Sequence, residues 1–540
     1  MSEWTIGAVL DEIAVAVPDR TMTVCGDRRS TFAESAERTR RLANFLAGRG
    51  LGARRERAEL RNWECGQDRV ALLMHNDLYP DMVIGCLKAR TVPVNVNHYY
   101  APAEIADLLR YLGPRGIIYH RALGAKFADI VAAAGIDLRI CVDDGSTIPD
   151  LPGAVPLDEA LAQGDTDRDL LASPDDLLMI CTGGTTGRPK GVLWRQSDIY
   201  VSSMVGADHA SAAEIHQKVS TAGSPWFALS PLMHAAGMWT AFSAILSGQT
   251  VILNDTRTRF DPRSVLETVE REQVGLMTMV GDAYAAPLVE ELGRGAYDLP
   301  SLYAIGTGGA ATNPKYQAAL LEHLPQITLI NGYGSSETGN MGFGRSQRGA
   351  RRDTFELRTG GAVVSEDLAR FLKPGEPEIG WVVRTGRIPL GYFNDAEATQ
   401  RTFAQIAGVR VVISGDRATV EEDGTLRLLG RDALVVNTGG EKVFVEEVEE
   451  VLRAHPAVAD ALVVGRPSDR WGEELAALVA LRTGADVNGD LLAAHCGTSL
   501  AGFKVPKEFV VVPEVRRLGN GKADYRWAKS QVGEEVCANS

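Results

Sequence analysis

Glycine, threonine and lysine are concentrated in one short stretch of this 540-residue chain: Thr182-Gly183-Gly184-Thr185-Thr186-Gly187-Arg188-Pro189-Lys190-Gly191. Glycine lets backbone N–H groups turn inward and approach an anion closely, hydroxyls add donors, and Lys190 adds a mobile positive charge. That is the chemistry of holding a polyphosphate. A Walker A loop is excluded, because that motif needs Ser or Thr after its lysine and Lys190 is followed by Gly191. The formal charge of −14 gives the whole protein a field that opposes an incoming anion. A phosphate site must therefore be locally positive, and Arg188, Lys190 and Arg195 cluster where the glycine loop needs them. The same charge argues against a nucleic-acid-binding surface.

A second constellation, Asn331-Gly332-Tyr333-Gly334-Ser335-Ser336-Glu337-Thr338, follows the apolar run Ile327–Ile330. It puts a carboxylate and a hydroxyl at the C-terminal end of a strand, where α/β folds bind ligands. Glu337 is a hard oxygen ligand suited to Mg²⁺ bridging phosphates, Thr338 can donate to a phosphate, and Tyr333 offers a flat face for a purine. Read in isolation, Ser335 could equally be the N-cap of a helix. A third constellation comes from hairpin geometry. If Asp423-Gly424 is a two-residue turn between Ala418–Val420 and Leu426–Leu429, Asp416 lies directly across from Arg431. An acceptor and a donor side by side suit a vicinal diol; a plain cross-strand salt bridge is the alternative.

The elements that position these residues alternate. Apolar runs such as Val70–Met74, Gly116–Tyr119 and Val251–Leu253 are separated by segments such as Pro80–Arg90 and Pro102–Leu112 with helical spacing. The pattern predicts an α/β architecture with largely parallel sheets. From about Gly360 short strands and turns predict a β-rich subdomain. Beyond Gly430 a helix over Val445–Ala454 and a strand over Ala461–Gly465 predict a small α+β unit. The main boundary falls between Gly430 and Ala433, dividing residues 1–431 from 432–540. The charged segment Ala53–Asp68 reads as a surface insertion. Seven scattered cysteines without metal spacing read as reduced thiols in a cytoplasmic protein. No secretory signal or transmembrane run is read.

The order (S/T)GG(S/T)TGxPKG, followed by YG(S/T)(S/T)E(S/T), resembles the adenylate-forming superfamily of acyl-CoA synthetases, luciferases and peptide-synthetase adenylation domains. The resemblance runs in family order from Thr182 to Lys522. It implies that Thr182, Gly183, Gly184, Thr185, Thr186, Gly187 and Lys190 hold the β/γ-phosphates of ATP. It also implies an adenine-side glycine turn at Gly308-Gly309, with Tyr333 beside it and Asp416 and Arg431 on the ribose. The stretch from Gly430 to Val443, which includes Gly439, Gly440 and Lys442, resembles the hinge motif, and the Gly439-Gly440 face would line a pantetheine path. Leu518-Gly519-Asn520-Gly521-Lys522 resembles the catalytic-lysine motif, where Lys522 would neutralise charge as a carboxylate attacks the α-phosphate. The family usually carries Asp or Lys two residues after the arginine at 431; here that residue is Ala433.

In relatives a histidine or aromatic at the position of His234 closes the acyl pocket, although a packed core histidine fits the same sequence. Gly237, Gly281, Gly306 and Gly332 would leave room for a bulky apolar acid. The segments Trp194–Tyr200 and Ala523–Lys529 look most like actinobacterial fatty-acyl and steroid-side-chain CoA ligases. The implied activity is ATP-dependent activation of a carboxylic acid to acyl-AMP, then transfer to coenzyme A, with Mg²⁺ as cofactor. A homodimer is compatible with the family. A ligase that loads a carrier protein and a catalytically lapsed homologue share the same motifs.

Overall fold

Apolar runs without alternation belong in strands buried on both faces, and Val70–Leu73 becomes one, with each of these residues at most 1% exposed. In the computed structural model the described residues are 3–164, 170–182, 190–310, 312–350, 354–431, 434–438, 441–468, 472–500, 502–518 and 523–532. The strand Arg69–Leu73 pairs in parallel with Val92–Asn95 and Gly116–His120 inside an eight-stranded sheet. A nine-stranded sheet has a parallel centre, Val251–Leu253, Trp226–Ala228, Leu276–Met279, Ala304–Gly308 and Thr328–Ser335. The helices Ile6–Ala16, Phe32–Gly48, Tyr79–Lys88 and Ala235–Ile245 share one apolar core with residues of both sheets, such as Leu72, Ile180 and Leu253. Other helices cover the two outer faces. The α/β expectation holds.

The sheets are less uniformly parallel than the alternation predicts. Lys190–Arg195 runs antiparallel to Leu177–Thr182, and Gly391–Tyr392 adds a further antiparallel strand outside it. The β-rich unit is a five-stranded antiparallel sheet built on Gly361–Val364, Gly380–Thr385, Val409–Val420 and Leu426–Arg431. Sheet membership changes between Arg431 and Val435, where a second five-stranded sheet begins and the helix Val445–Ala454 packs on it. The Ala53–Asp68 segment is exposed in part but is no loose insertion. Asp68 is 6% exposed and accepts from Gly52 N and Arg54 Nε, and the carbonyl of Trp63 accepts from Asn394 N at 2.9 Å. Among the described residues no helix is long and apolar enough to cross a membrane.

Three adjacent parallel strands end beside histidines. His75 and His98 follow Arg69–Leu73 and Val92–Asn95, and His120 is the last residue of Gly116–His120, with ring centroids 4.9 Å and 5.5 Å from His75 to the other two. His98 and His120 are 4% and 0% exposed, and burial pushes both imidazoles down to about 3. They are neutral in the folded protein and regain a proton on unfolding below the ordinary histidine value near 6.5. Their contribution to stability is therefore complete above that value and is lost as pH falls from about 6.5 towards 3, by about 2 kcal/mol per histidine at pH 5. Urea unfolding of wild type and His98→Gln at pH 7 and pH 5 checks this. Whatever the variant's stability at pH 7, its loss between the two pH values should be smaller by about 2 kcal/mol.

Candidate active site

The glycine-rich loop joins two antiparallel strands. Cys181 pairs with Gly191 and Thr182 with Lys190, and the next helix begins only at Gln196. A strand, not a helix, opens at Lys190, so no helix dipole adds positive charge there. Gly183, Gly184, Thr185, Thr186, Gly187 and Arg188 lie outside the described residues, as does the side chain of Thr182. The loop's base is fixed from the neighbouring strand. Asn95 accepts from Cys181 N at 2.8 Å and donates to the carbonyls of Cys181 and Met233 at 3.1 and 2.8 Å. One amide side chain thus ties the glycine loop to the segment leading into His234.

Arg195 does not stand at the glycine loop. It stands at the other end of a six-residue strand, about 17 Å from Lys190. There its guanidinium is paired with Glu3, Asp175 and Asp198. Of the three cations the sequence groups here, Arg188 lies outside the described residues and Lys190 stands at the base of the loop. Its ammonium lies 4.9 Å from the ring centroid of Tyr392. The hydroxyl of Tyr392 in turn donates to Glu337 Oε1 at 3.1 Å. A single tyrosine links the lysine of one motif to the carboxylate of the other. Burial, with Glu337 adding to it, raises the phenol well above its ordinary value, so Tyr392 stays a donor.

Glu337 sits on a hairpin tip, not in the first turn of a helix. The strand Thr328–Ser335 turns directly into the antiparallel Gly339–Ser346. Within the tip, Ser335 N donates to Thr338 Oγ1 at 2.9 Å, and Thr338 N donates to Ser335 Oγ at 3.2 Å. Thr338 is 1% exposed and its hydroxyl also reaches the Gly339 carbonyl. The same hydroxyl that the sequence offers to a phosphate shapes the tip in this structure. Trp194, fully buried, donates Nε1 to the Ser336 carbonyl at 2.8 Å. Among the described residues nothing besides Tyr392 bonds the Glu337 carboxylate. An oxygen donor left open in this way fits Mg²⁺, which keeps waters and substrate phosphates as its other ligands.

Tyr333 donates its hydroxyl to Asp416 Oδ2 at 2.6 Å and packs against Phe355 with ring centroids 5.5 Å apart. Asp416 pairs with Arg431 as the hairpin argument expects, but for a different reason. The turn has three residues: Glu421 N donates to Thr425 O, and Gly424 takes φ +80°. One extra residue further on, at the register shift between Arg417 and Ala418, brings Asp416 and Arg431 back into line. Two deviations cancel. Gly308 pairs with Gly332, and a Cβ at Gly308 would meet the Gly332 carbonyl at 3.1 Å, so the glycine turn is pressed against the start of the Tyr333 segment. Gly309, at φ +81°, lies against Ala236 in the first turn of the helix that His234 caps. Gly237 is small for another reason than pocket room: a Cβ there would strike the Ser230 and Pro231 carbonyls at 2.7 Å.

Lys522, Gly439 and Gly440 lie outside the described residues, and of Lys442 only the backbone pairing with Asn437 is described. The flanks of the lysine loop are fixed. Arg517 and Ala523 form a bridge, and Arg517 donates to Asp460. On the other side Tyr525 donates to Glu449, which is 2% exposed and also holds Arg453. Lys315 Nζ reaches across to the Ala459 carbonyl at 3.2 Å. Nothing in the local spacing of Tyr392 or Asn95 marks them, and Trp194 enters the sequence reading only as the start of the segment Trp194–Tyr200, with no role at the site.

Two family models match the chain, AMP-binding enzyme over residues 10–364 and AMP-binding enzyme C-terminal domain over 447–522. The medium-chain acyl-CoA ligase Mig of Mycobacterium avium is 42% identical over 98% of both chains. The 3-oxocholest-4-en-26-oate–CoA ligase of Rhodococcus rhodochrous is 34% identical over 96% of this chain and 94% of its own. Among solved structures, the amide bond synthetase McbA from Marinactinospora thermotolerans superposes with a TM-score of 0.78 at 22% identity, over 98% of this chain and 100% of its own, a likeness of fold. With these matches spanning nearly its whole length, and with the glycine loop and the acidic hairpin tip joined through Tyr392, the chain belongs to the AMP-binding enzyme family.

Proposed function

We propose that this protein is an ATP-dependent acyl-CoA ligase that activates a medium- or long-chain fatty acid or a steroid side-chain carboxylate. The observation that carries the reading is the Lys190–Tyr392–Glu337 link between the glycine loop and the acidic tip. The names of its relatives supply the acid class and the CoA acceptor. A carboxylate is a poor electrophile, so its oxygen first attacks the α-phosphorus of ATP and pyrophosphate leaves. The thiol sulfur of coenzyme A then attacks the acyl carbon, its proton is lost, and AMP departs with the electron pair of the broken C–O bond.

In the first step Lys190 and the glycine loop hold the β- and γ-phosphates, and Asp416, with Arg431 opposite, grips the ribose. Glu337 would hold Mg²⁺, which neutralises phosphate charge when bound. Tyr392 keeps the carboxylate aimed at that position while its ring steadies the lysine. Lys522 enters from the C-terminal unit, residues 432–540, to stabilise charge on the α-phosphate. Rotation of that unit between the steps removes Lys522 and brings Gly439-Gly440 to the thiol path. Support for a division after Arg431 comes from the change of sheet membership before Val435.

Pyrophosphate release on fatty and steroid acids, with a CoA thioester detected by mass, is the expected result. Adenylate without thioester would redirect the reading to a carrier-protein loader. Lys522→Ala should abolish ATP–pyrophosphate exchange while ATP still binds, and exchange that survives would remove Lys522 from this role. Tyr392→Phe keeps the ring under Lys190 and deletes the bond to Glu337. It should lower kcat/KM for adenylate formation by roughly tenfold, the usual effect of losing an outer hydrogen bond to a metal ligand. An unchanged rate would show that the link is not used.

A further inference from the structure

Arg384 is 3% exposed, and among the described residues no carboxylate pairs with it. A guanidinium is costly to bury without a counter-charge. Its two terminal nitrogens instead reach backbone: Nη1 donates to the carbonyls of Thr338 and Asn340 at 2.7 and 2.8 Å, and Nη2 reaches the Ser202 carbonyl at 3.5 Å, while Nε has no partner among the described residues. The first two carbonyls flank Gly339, the last residue of the turn that carries Glu337. Gly339 has φ +66°, and a Cβ there would meet Ser203 Oγ at 2.5 Å and Arg384 Nη1 at 3.1 Å. Ser203 Oγ also accepts from Asn340 N at 3.2 Å. The strand that carries Arg384, Gly380–Thr385, pairs with Val409–Val420, the strand of Asp416. One side chain therefore ties the Glu337 tip to the sheet that presents the ribose-side carboxylate.

We propose that Arg384 is a positioning residue for adenylate formation: its two bonds beside Gly339 fix the hairpin tip so that the Glu337 carboxylate stays where MgATP needs it. This rests on the function proposed above. Arginine suits the task because its planar fork satisfies two carbonyls from one nitrogen and still reaches a third, which a lysine ammonium does not match in geometry. Glu337 is then held twice, through the adjoining Thr338–Asn340 backbone by Arg384 and through its carboxylate by Tyr392. Thioester formation, which follows pyrophosphate release, has less need of that carboxylate. A loss confined to the first step is the signature of positioning.

The test uses the full-length enzyme with Arg384→Lys and Gly339→Ala, the second disturbing the same contact while leaving the cation in place. Three quantities are measured: ATP–pyrophosphate exchange against Mg²⁺ concentration, thioester formation from supplied acyl-AMP and CoA, and ATP binding by calorimetry with and without Mg²⁺. Both variants should raise half-saturating Mg²⁺ and lower exchange by roughly 10- to 100-fold. Thioester formation should change less than about threefold, and ATP binding without Mg²⁺ should be retained while its enhancement by Mg²⁺ is lost. A parallel fall in both steps with a lowered Tm, or exchange unaltered in both variants, overturns the proposal. If one variant fails to fold, the same criteria apply to the other, and Arg384→Gln replaces the pair if both fail. Glu337→Gln separates this from the underlying reading. If that variant keeps wild-type Mg²⁺ dependence, the assignment of Glu337 fails, whatever Arg384 does.

Discussion

Everything at the candidate active site depends on holding a five-residue hairpin tip, Ser335 to Gly339, that has no helix of its own to steady it. A two-stranded turn is soft, and a carboxylate on it is useful only if the backbone beneath it does not move. The protein supplies donors from three other elements. Trp194 holds the Ser336 carbonyl from the strand that follows the glycine loop, Arg384 holds the Thr338 and Asn340 carbonyls from the β-rich sheet, and Tyr392 holds the Glu337 side chain from an edge strand. Two of these donors, Trp194 and Arg384, are almost wholly buried, where hydrogen bonds are least exposed to competition from water.

The same logic extends across the two large sheets. The glycine loop, the Glu337 tip, the Gly308-Gly309 turn and the segment into His234 each lie at the C-terminal end of a parallel strand, the edge where open α/β sheets bind ligands. Alignment of those edges is enforced by polar side chains. Asn95 clamps Cys181 to Met233, and Asn76 accepts from Leu232 N at 2.7 Å while donating to the Asn254 carbonyl. These are buried or half-buried amides with few alternatives, so they fix relative position more sharply than apolar packing does. The site is polar at its joints because the joints must be in register.

Electrostatics follow the same economy. In a chain of charge −14, Lys190 rests on an aromatic ring, and among the described residues no carboxylate pairs with it. Arg195, close in sequence, is by contrast committed to three acids at the far end of the strand. Proximity along a chain therefore does not by itself bring a cation to the loop. The extended backbone carried Arg195 away at about 3.4 Å per residue.

The sequence by itself determined the α/β class, the β-rich insert, the C-terminal unit and the order of the glycine-loop, Glu337 and Asp416 motifs. Each of these is written in local periodicity, glycine spacing and residue type. It also placed Asp416 opposite Arg431, although a three-residue turn and a compensating bulge stood in place of the two-residue turn assumed. What only the tertiary structure decided is which side chains join the motifs. Tyr392 lies 202 positions beyond Lys190 and 55 beyond Glu337, and Arg384 lies 46 beyond Thr338. Such contacts arise from strand order and register, and a glycine-tyrosine pair or a lone arginine in a strand carries no local mark of them. The turning inward of the Thr338 hydroxyl was equally beyond sequence, because a hydroxyl's partner is set by the rotamer that the closed hairpin allows.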